Sequence, residues 1–204
     1  MNLRVQTIIL LLIFLLFITG CKNPFSHRSS DDPVGTSGTW DFPAAPEIVI
    51  SNLLFSYNER NINNFRRCLS DSFMFSAYED SIEAEQNGEG FLFHGWDVDT
   101  EESVTRRIFQ AFPAGSDSVQ MTLLIDLSSN PIDEIDDSTA TLVRTYTLTA
   151  VDFTSDVADT LGAEGEATFK MSWSNLEGWS IYLWSDRAAK DVDFNWADFK
   201  ALFR

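Results

Sequence analysis

The chain has 204 residues, 44% of them hydrophobic, enough for one ordinary domain with a sizeable core. Its 14 basic residues face 31 acidic ones, a formal charge of −17, and a surface so negative argues against nucleic acid or anionic lipid as partners, which need a basic patch. With two cysteines and two histidines in all, neither a disulfide framework nor a His-rich zinc or copper set is expected, and no cofactor is implied.

Residues 1–20 read as a targeting segment. Arg4 is their one charge, and the apolar run Thr7 to Thr19 is short for a bilayer span of roughly 20 residues but suits a signal-peptide core. The following Ile18-Thr19-Gly20-Cys21 resembles the bacterial lipoprotein lipobox. That resemblance implies cleavage before Cys21, a diacylglycerol on its sulfur, and attachment to a membrane on the extracytoplasmic side of the cell envelope. Lys22, rather than an aspartate, favours the outer membrane by the same resemblance. Without Arg4, 13 basic residues remain against 31 acidic, or −18.

Residues 21–45 mix Pro, Gly, Ser and Asp without periodicity and read as a flexible tether, because they cannot bury enough apolar surface to offset ordering. Trp40 and Phe42 at its end are candidates for docking on the domain. His27 lies in this tether and His94 in the domain, which runs from 46 to 204.

In Pro46 to Phe75, Ile50, Leu53, Leu54 and Tyr57 fall at helical spacing while Ser51, Asn52 and Asn58 face away. Pro46 suits a first helical turn and Glu47 complements the helix dipole. After the polar break Asn58 to Asn61, Ile62, Phe65, Cys68 and Leu69 make the inner face of a second helix, and Cys68 reads as a buried, inert thiol. A turn is expected at Ser70-Asp71-Ser72, then a strand with Phe73 and Phe75 on one face.

Tyr78 to Gly90 reads as an acidic loop, and Phe91-Leu92-Phe93 as a short strand or docked loop. Asp97-Val98-Asp99-Thr100-Glu101 lacks the glycine and final carboxylate of a calcium loop. A helix start fits better, with Asp99 as cap and Glu102 completing a capping box, and with Val104, Ile108, Ala111 and Phe112 on the inner face. Strands follow. Val119 to Leu127 alternates cleanly, and a turn-rich acidic connection from Asn130 to Asp137 leads to the run 140–153. A loop from Thr154 to Gly165 precedes Ala167 to Trp173, and Asn175 to Gly178 turns the chain into Trp179 to Trp184. Trp196, Phe199, Leu202 and Phe203 suggest a short closing helix over one end of the core.

The order helix, helix, strand, helix, long strands, with its LFSYNERN and CLSDSFMF segments and the terminal GWSIYLWSDRA, resembles the nuclear transport factor 2-like (NTF2-like, SnoaL-like) superfamily over residues 46–204. The resemblance implies an α+β, cystatin-like cone: N-terminal helices packed on a curved, mostly antiparallel sheet. Such folds host isomerases, dehydratases, transport adaptors and proteins without chemistry. Laying the ketosteroid-isomerase-like pattern on this chain places the oxyanion-binding tyrosine at about Leu53 and the proton-moving aspartate at about Ala77. Neither can do that work, and Tyr57, one turn on, reads as core. His94 is the one candidate base for a dehydratase-like pair. No catalytic residue is therefore assigned.

A cone pocket would be lined by Phe73, Phe75, Leu142, Arg144, Tyr146, Phe169 and Met171, and would suit a small apolar or anionic ligand. Arg144 interrupts the apolar face of its strand, so it either meets a ligand or pairs with a carboxylate of the chain, the ion pair being the simpler account. The functional expectation is a non-catalytic binding or accessory module at the envelope. An isomerase- or dehydratase-type enzyme, or a structural domain forming a homodimer through its sheet, are the alternatives.

Overall fold

The structure, a computed structural model, describes residues 38–155 and 157–204. The targeting segment 1–20, the lipidation site Cys21, Lys22, His27 and most of the tether lie outside the described residues. Helix α1 spans Pro46–Glu59 and α2 Ile62–Arg67, and both pack on a six-stranded sheet of order β1-β6-β5-β4-β2, with β3 alongside β4. The strands are β1 Leu69–Ser76, β2 Val119–Ile125, β3 Glu134–Ile135, β4 Thr139–Asp152, β5 Asp159–Ser174 and β6 Gly178–Ala188. Only the β1–β6 pair is parallel. The sheet does not close, since β1 and β2 are its two edges, and register shifts within β1 and β5 against β6 help bend it.

Leu53 and Phe65, the inner positions of α1 and α2, are fully buried. Asn52 is buried as well, contrary to expectation, because residues 38–45 fold back over it. Its side chain pairs with the backbone of Asp41 in both directions, at 3.0 and 2.7 Å. This end of the expected tether is thus part of the domain. Pro43 O accepts from Trp179 N, and the Arg67 guanidinium lies 3.8 Å over the Trp40 ring, whereas Phe42 stays exposed. The polar break also has a task. Asn58 bonds both the N–H and the C=O of Leu123, at 2.9 Å each, and Arg60, in left-handed geometry, donates to the carbonyls of Phe112 and Met121. Polar side chains here replace the missing neighbour of edge strand β2.

Several local expectations are corrected. The segment Ser70-Asp71-Ser72 is no turn but an irregular part of β1. The acidic stretch after Ala77 forms helix α3, Tyr78–Gln86: its Glu, Ala and Gln residues favour a helix, and Glu79 and Asp80 complement its N-terminus. Gly90–Leu92 is one turn of 3-10 helix. Helix α4, Val98–Ala111, is capped by Asp97 rather than Asp99, with Asp97 accepting from Thr100 N at 2.9 Å. A bridge from Asp97 to Met74 and the bond from Phe75 N to Trp96 O hold the preceding residues extended against β1. β5 begins at Asp159, earlier than read, because β4 and β5 pair through to Asp152 and Asp159. Helix α5, Trp196–Ala201, closes the fold behind a complete Asn195–Asp198 capping box.

Candidate functional site

The rows of the sheet bring the expected pocket residues together. Leu142 pairs with Phe169, Phe169 with Trp184, and Trp184 with Phe75, giving one apolar row across four strands. Met171 lies one step along β5 beside Ala140 and Ile181. Tyr146 lies the other way, opposite Gly165, where a Cβ would collide with the tyrosine oxygen. Phe73, Phe75, Leu142, Tyr146, Phe169 and Met171 are all buried in one hydrophobic cluster. Of these, Phe75 and Tyr146 pack, together with Trp184, against α5, whose Trp196, Phe199 and Lys200 have no solvent exposure. The Trp196 ring packs 4.5 Å from Trp184, 4.9 Å from Tyr146 and 5.1 Å from Tyr57, centroid to centroid.

Arg144 is apart from this group. Its Nη1 donates to both carboxylate oxygens of Asp133, at 2.7 and 2.8 Å, and to Val143 O. Burial raises the Asp133 pKa, but Arg144 and the backbone N–H groups of Asn130 and Val143 more than offset this and hold it below the usual carboxylate range. Arg144 therefore has a partner within the chain. The pair fills the gap along β4 between β3, which reaches Thr141, and β2, which starts at Tyr146.

A second polar group lies under α5, where no residue pattern points to one. Lys200 and Glu101 are completely buried, with Nζ 2.8 Å from Oε1. Trp96 Nε1 donates to the other oxygen, Oε2, at 2.7 Å. Asp186 Oδ2 accepts from Tyr146 OH and Ala197 N, both at 3.0 Å, while Tyr146 OH accepts from Trp196 N at 2.8 Å. Asp186 Oδ1 has no hydrogen-bond partner among the described residues. Burial pushes the Asp186 carboxyl up to about 7, against the pull of Lys200, Tyr146 and Ala197 N–H. Burial pushes Lys200 down, against Glu101 and Asp186. For Tyr57, burial and then the Glu101 charge raise the pKa. Alternation along β6 places Asp186 inward, but a helix residue such as Lys200 is assigned to an interior only by what packs round it.

Leu53 and Ala77, where the isomerase pattern would put its tyrosine and aspartate, are both core residues. His94 is exposed, 3.6 Å from Glu85. Cys68 is buried, its thiol on Asn64 O at 3.3 Å, and burial raises its pKa. No group of three or more His, Cys, Asp or Glu residues is placed to hold a metal ion among the described residues. A surface groove of about 420 Å3 lies elsewhere, between Trp40, Phe42, Arg66, Arg67 and Leu176.

No protein-family profile matches the chain, and no curated protein does. Solved structures do. A protein from Kribbella flavida superposes with a TM-score of 0.54 at 13% identity, over 79% of this chain and 97% of the other. A candidate scytalone dehydratase from Novosphingobium aromaticivorans gives 0.52 at 10% identity, over 74% and 86%. The fold is NTF2-like. An NTF2-like superfamily protein from Salmonella enterica matches at 0.47 and 16% identity, over 71% and 89%. At these identities it is the fold that is shared. In this NTF2-like domain the last helix packs on β5 and β6 with Trp196, Phe199 and Lys200 buried.

Proposed function

We propose that this protein is a lipid-anchored, extracytoplasmic NTF2-like domain acting as a binding or accessory module at the bacterial cell envelope, with no catalysis of its own. One observation carries the non-catalytic reading. The interior that an NTF2-like cone would offer to a substrate is filled by Trp196, Phe199 and Lys200, none with any exposure to solvent. The anchor rests on Ile18-Thr19-Gly20-Cys21 behind a short apolar core, and Lys22 directs it to the outer membrane.

A second reading, an isomerase- or dehydratase-type enzyme with its site in the cone, has one observation in its favour. Tyr146, Asp186, Glu101 and Lys200 converge there, and Asp186 keeps one oxygen unengaged among the described residues. Against it, Tyr146 and Asp186 bond to the backbone of α5 and Glu101 pairs with its Lys200.

Labelled palmitate and membrane fractionation test the anchor. The wild-type protein should take up label and sediment with membranes, and Cys21→Ala should do neither, accumulating as an uncleaved or mislocalised precursor. An unacylated, water-soluble mature form beginning elsewhere than Cys21 would overturn it.

A further inference from the structure

Lys200 is held in an unusual way for a buried lysine. Its Nζ lies 3.5 Å from the centroid of the Trp184 ring, 3.9 Å from that of Phe75 and 5.5 Å from that of Trp196. The Glu101 carboxylate is within 2.8 Å, yet neither Nζ nor Glu101 Oε1 has a well-aligned hydrogen bond among the described residues. The ammonium is thus held by ring faces as well as by the Glu101 carboxylate. Aromatic faces around a carboxylate are the chemistry that selects ammonium ions, methylated and quaternary ones included, since ring quadrupoles attract the cation without needing its hydrogens.

Most of the cage lies off the helix that delivers the lysine. Phe75 comes from β1, Trp184 from β6 and Glu101 from α4, and Trp96, just before α4, fixes the carboxylate through Oε2. Only Trp196 shares α5 with Lys200. A stabilising role alone would be met as well by an apolar side chain, because a buried ion pair often contributes no more than a well-packed hydrophobic replacement. We propose that the interior of the cone is a recognition cage for a small organic ammonium ion, which the chain's own Lys200 fills as a tethered stand-in for such a ligand. This rests on the binding-module reading and gives that module a ligand class; α5 must withdraw for an outside amine to enter.

The test uses Lys200→Ala, which removes the side chain beyond Cβ, with n-propylammonium, which supplies the same three carbons and nitrogen. Tryptophan fluorescence and thermal unfolding are followed against 1-propanol, a neutral probe of similar size. Propylammonium should bind Lys200→Ala and raise its Tm, with affinity roughly tenfold or more above that for propanol. Adding Glu101→Gln should remove this preference, and Lys200→Met, with the cage filled by an apolar chain, should not respond. Wild type, in which α5 must first withdraw, should respond to propylammonium over propanol at higher concentration, and a wild type that never distinguishes the two would overturn the proposal. Equal responses to the two probes would reveal an ordinary cavity and overturn the proposal, as would a folded Lys200→Ala that ignores the amine. If Lys200→Ala folds only with the amine present, that dependence supports the cage; if the amine fails to restore folding, the cage is rejected. Either failure leaves the acylation of Cys21, and so the anchor, untouched.

Discussion

Arg144 and Asp133 hold the connection between β2 and β4 against β4, and the side chains keep only 2% and 9% of their exposure. Removing one member strands the other. Arg144→Met should therefore lower stability in a urea titration by about 2–3 kcal/mol, less than the roughly 3–5 kcal/mol for breaking a fully buried pair. The discount reflects Asp133 keeping the backbone N–H of Asn130 and Val143 and some contact with water. Asp186 makes a different prediction. Its folded pKa, about 7, lies above the usual value of 3.8, so between these values the folded state holds a proton that the unfolded state has lost. The stability this contributes is fully present below about pH 4 and is lost as pH rises through about 7. Wild type compared with Asp186→Asn should show that loss as a difference, because Asp97, Asp126 and Asp152, whose pKa values lie below the usual carboxylate value, are common to both. A flat difference between pH 4 and 8 would place Asp186 in a normal environment.

At the scale of the element, α1 and α5 are the pieces that close the cone. Leu53 on α1 is fully buried, and Leu53→Ala should cost about 2–5 kcal/mol by opening a cavity that a rigid sheet cannot collapse into. Helix α5 has only six residues, too few to hold together alone, and relies on its ends. Asn195 accepts from Asp198 N and donates to Asp80 on α3 at 2.9 Å. Asn195→Ala should cost about 1–2 kcal/mol and raise amide exchange first at residues 196–201. Uniform exchange across the domain would instead mean that α5 opens only with the whole fold.

For the whole molecule, charge is the dominant surface property. A net −17 sets carboxylates against one another across the surface and disfavours the compact state. Raising ionic strength from about 0.01 to about 0.15 M shortens the screening length from about 30 to about 8 Å. The Tm should rise with it. A fall would mean that exposed ion pairs such as Arg66–Asp71 and Arg187–Glu166 outweigh the repulsion. The same charge disfavours attachment to an anionic membrane through the domain's own surface.

The sequence by itself determined the class of fold and the order of its parts. Helical spacing marked Ile50, Leu53 and Tyr57 as inner positions, and alternation marked Met121, Leu123, Leu142, Tyr146 and Phe169; all are buried. These patterns are legible because an element buries a face whatever lies opposite. What lies opposite is decided only by tertiary structure. Arg144 could be read as ligand contact or ion pair until Asp133, eleven residues earlier, was seen on it. Helix α3 escaped notice because Ala84 is its one buried residue, so it carries no stripe to read. Lys200 and Glu101, 99 positions apart in sequence, meet only because α5 folds back into the cone. A charge is tolerated in a core by its neighbours in space, and nothing in the local sequence records them.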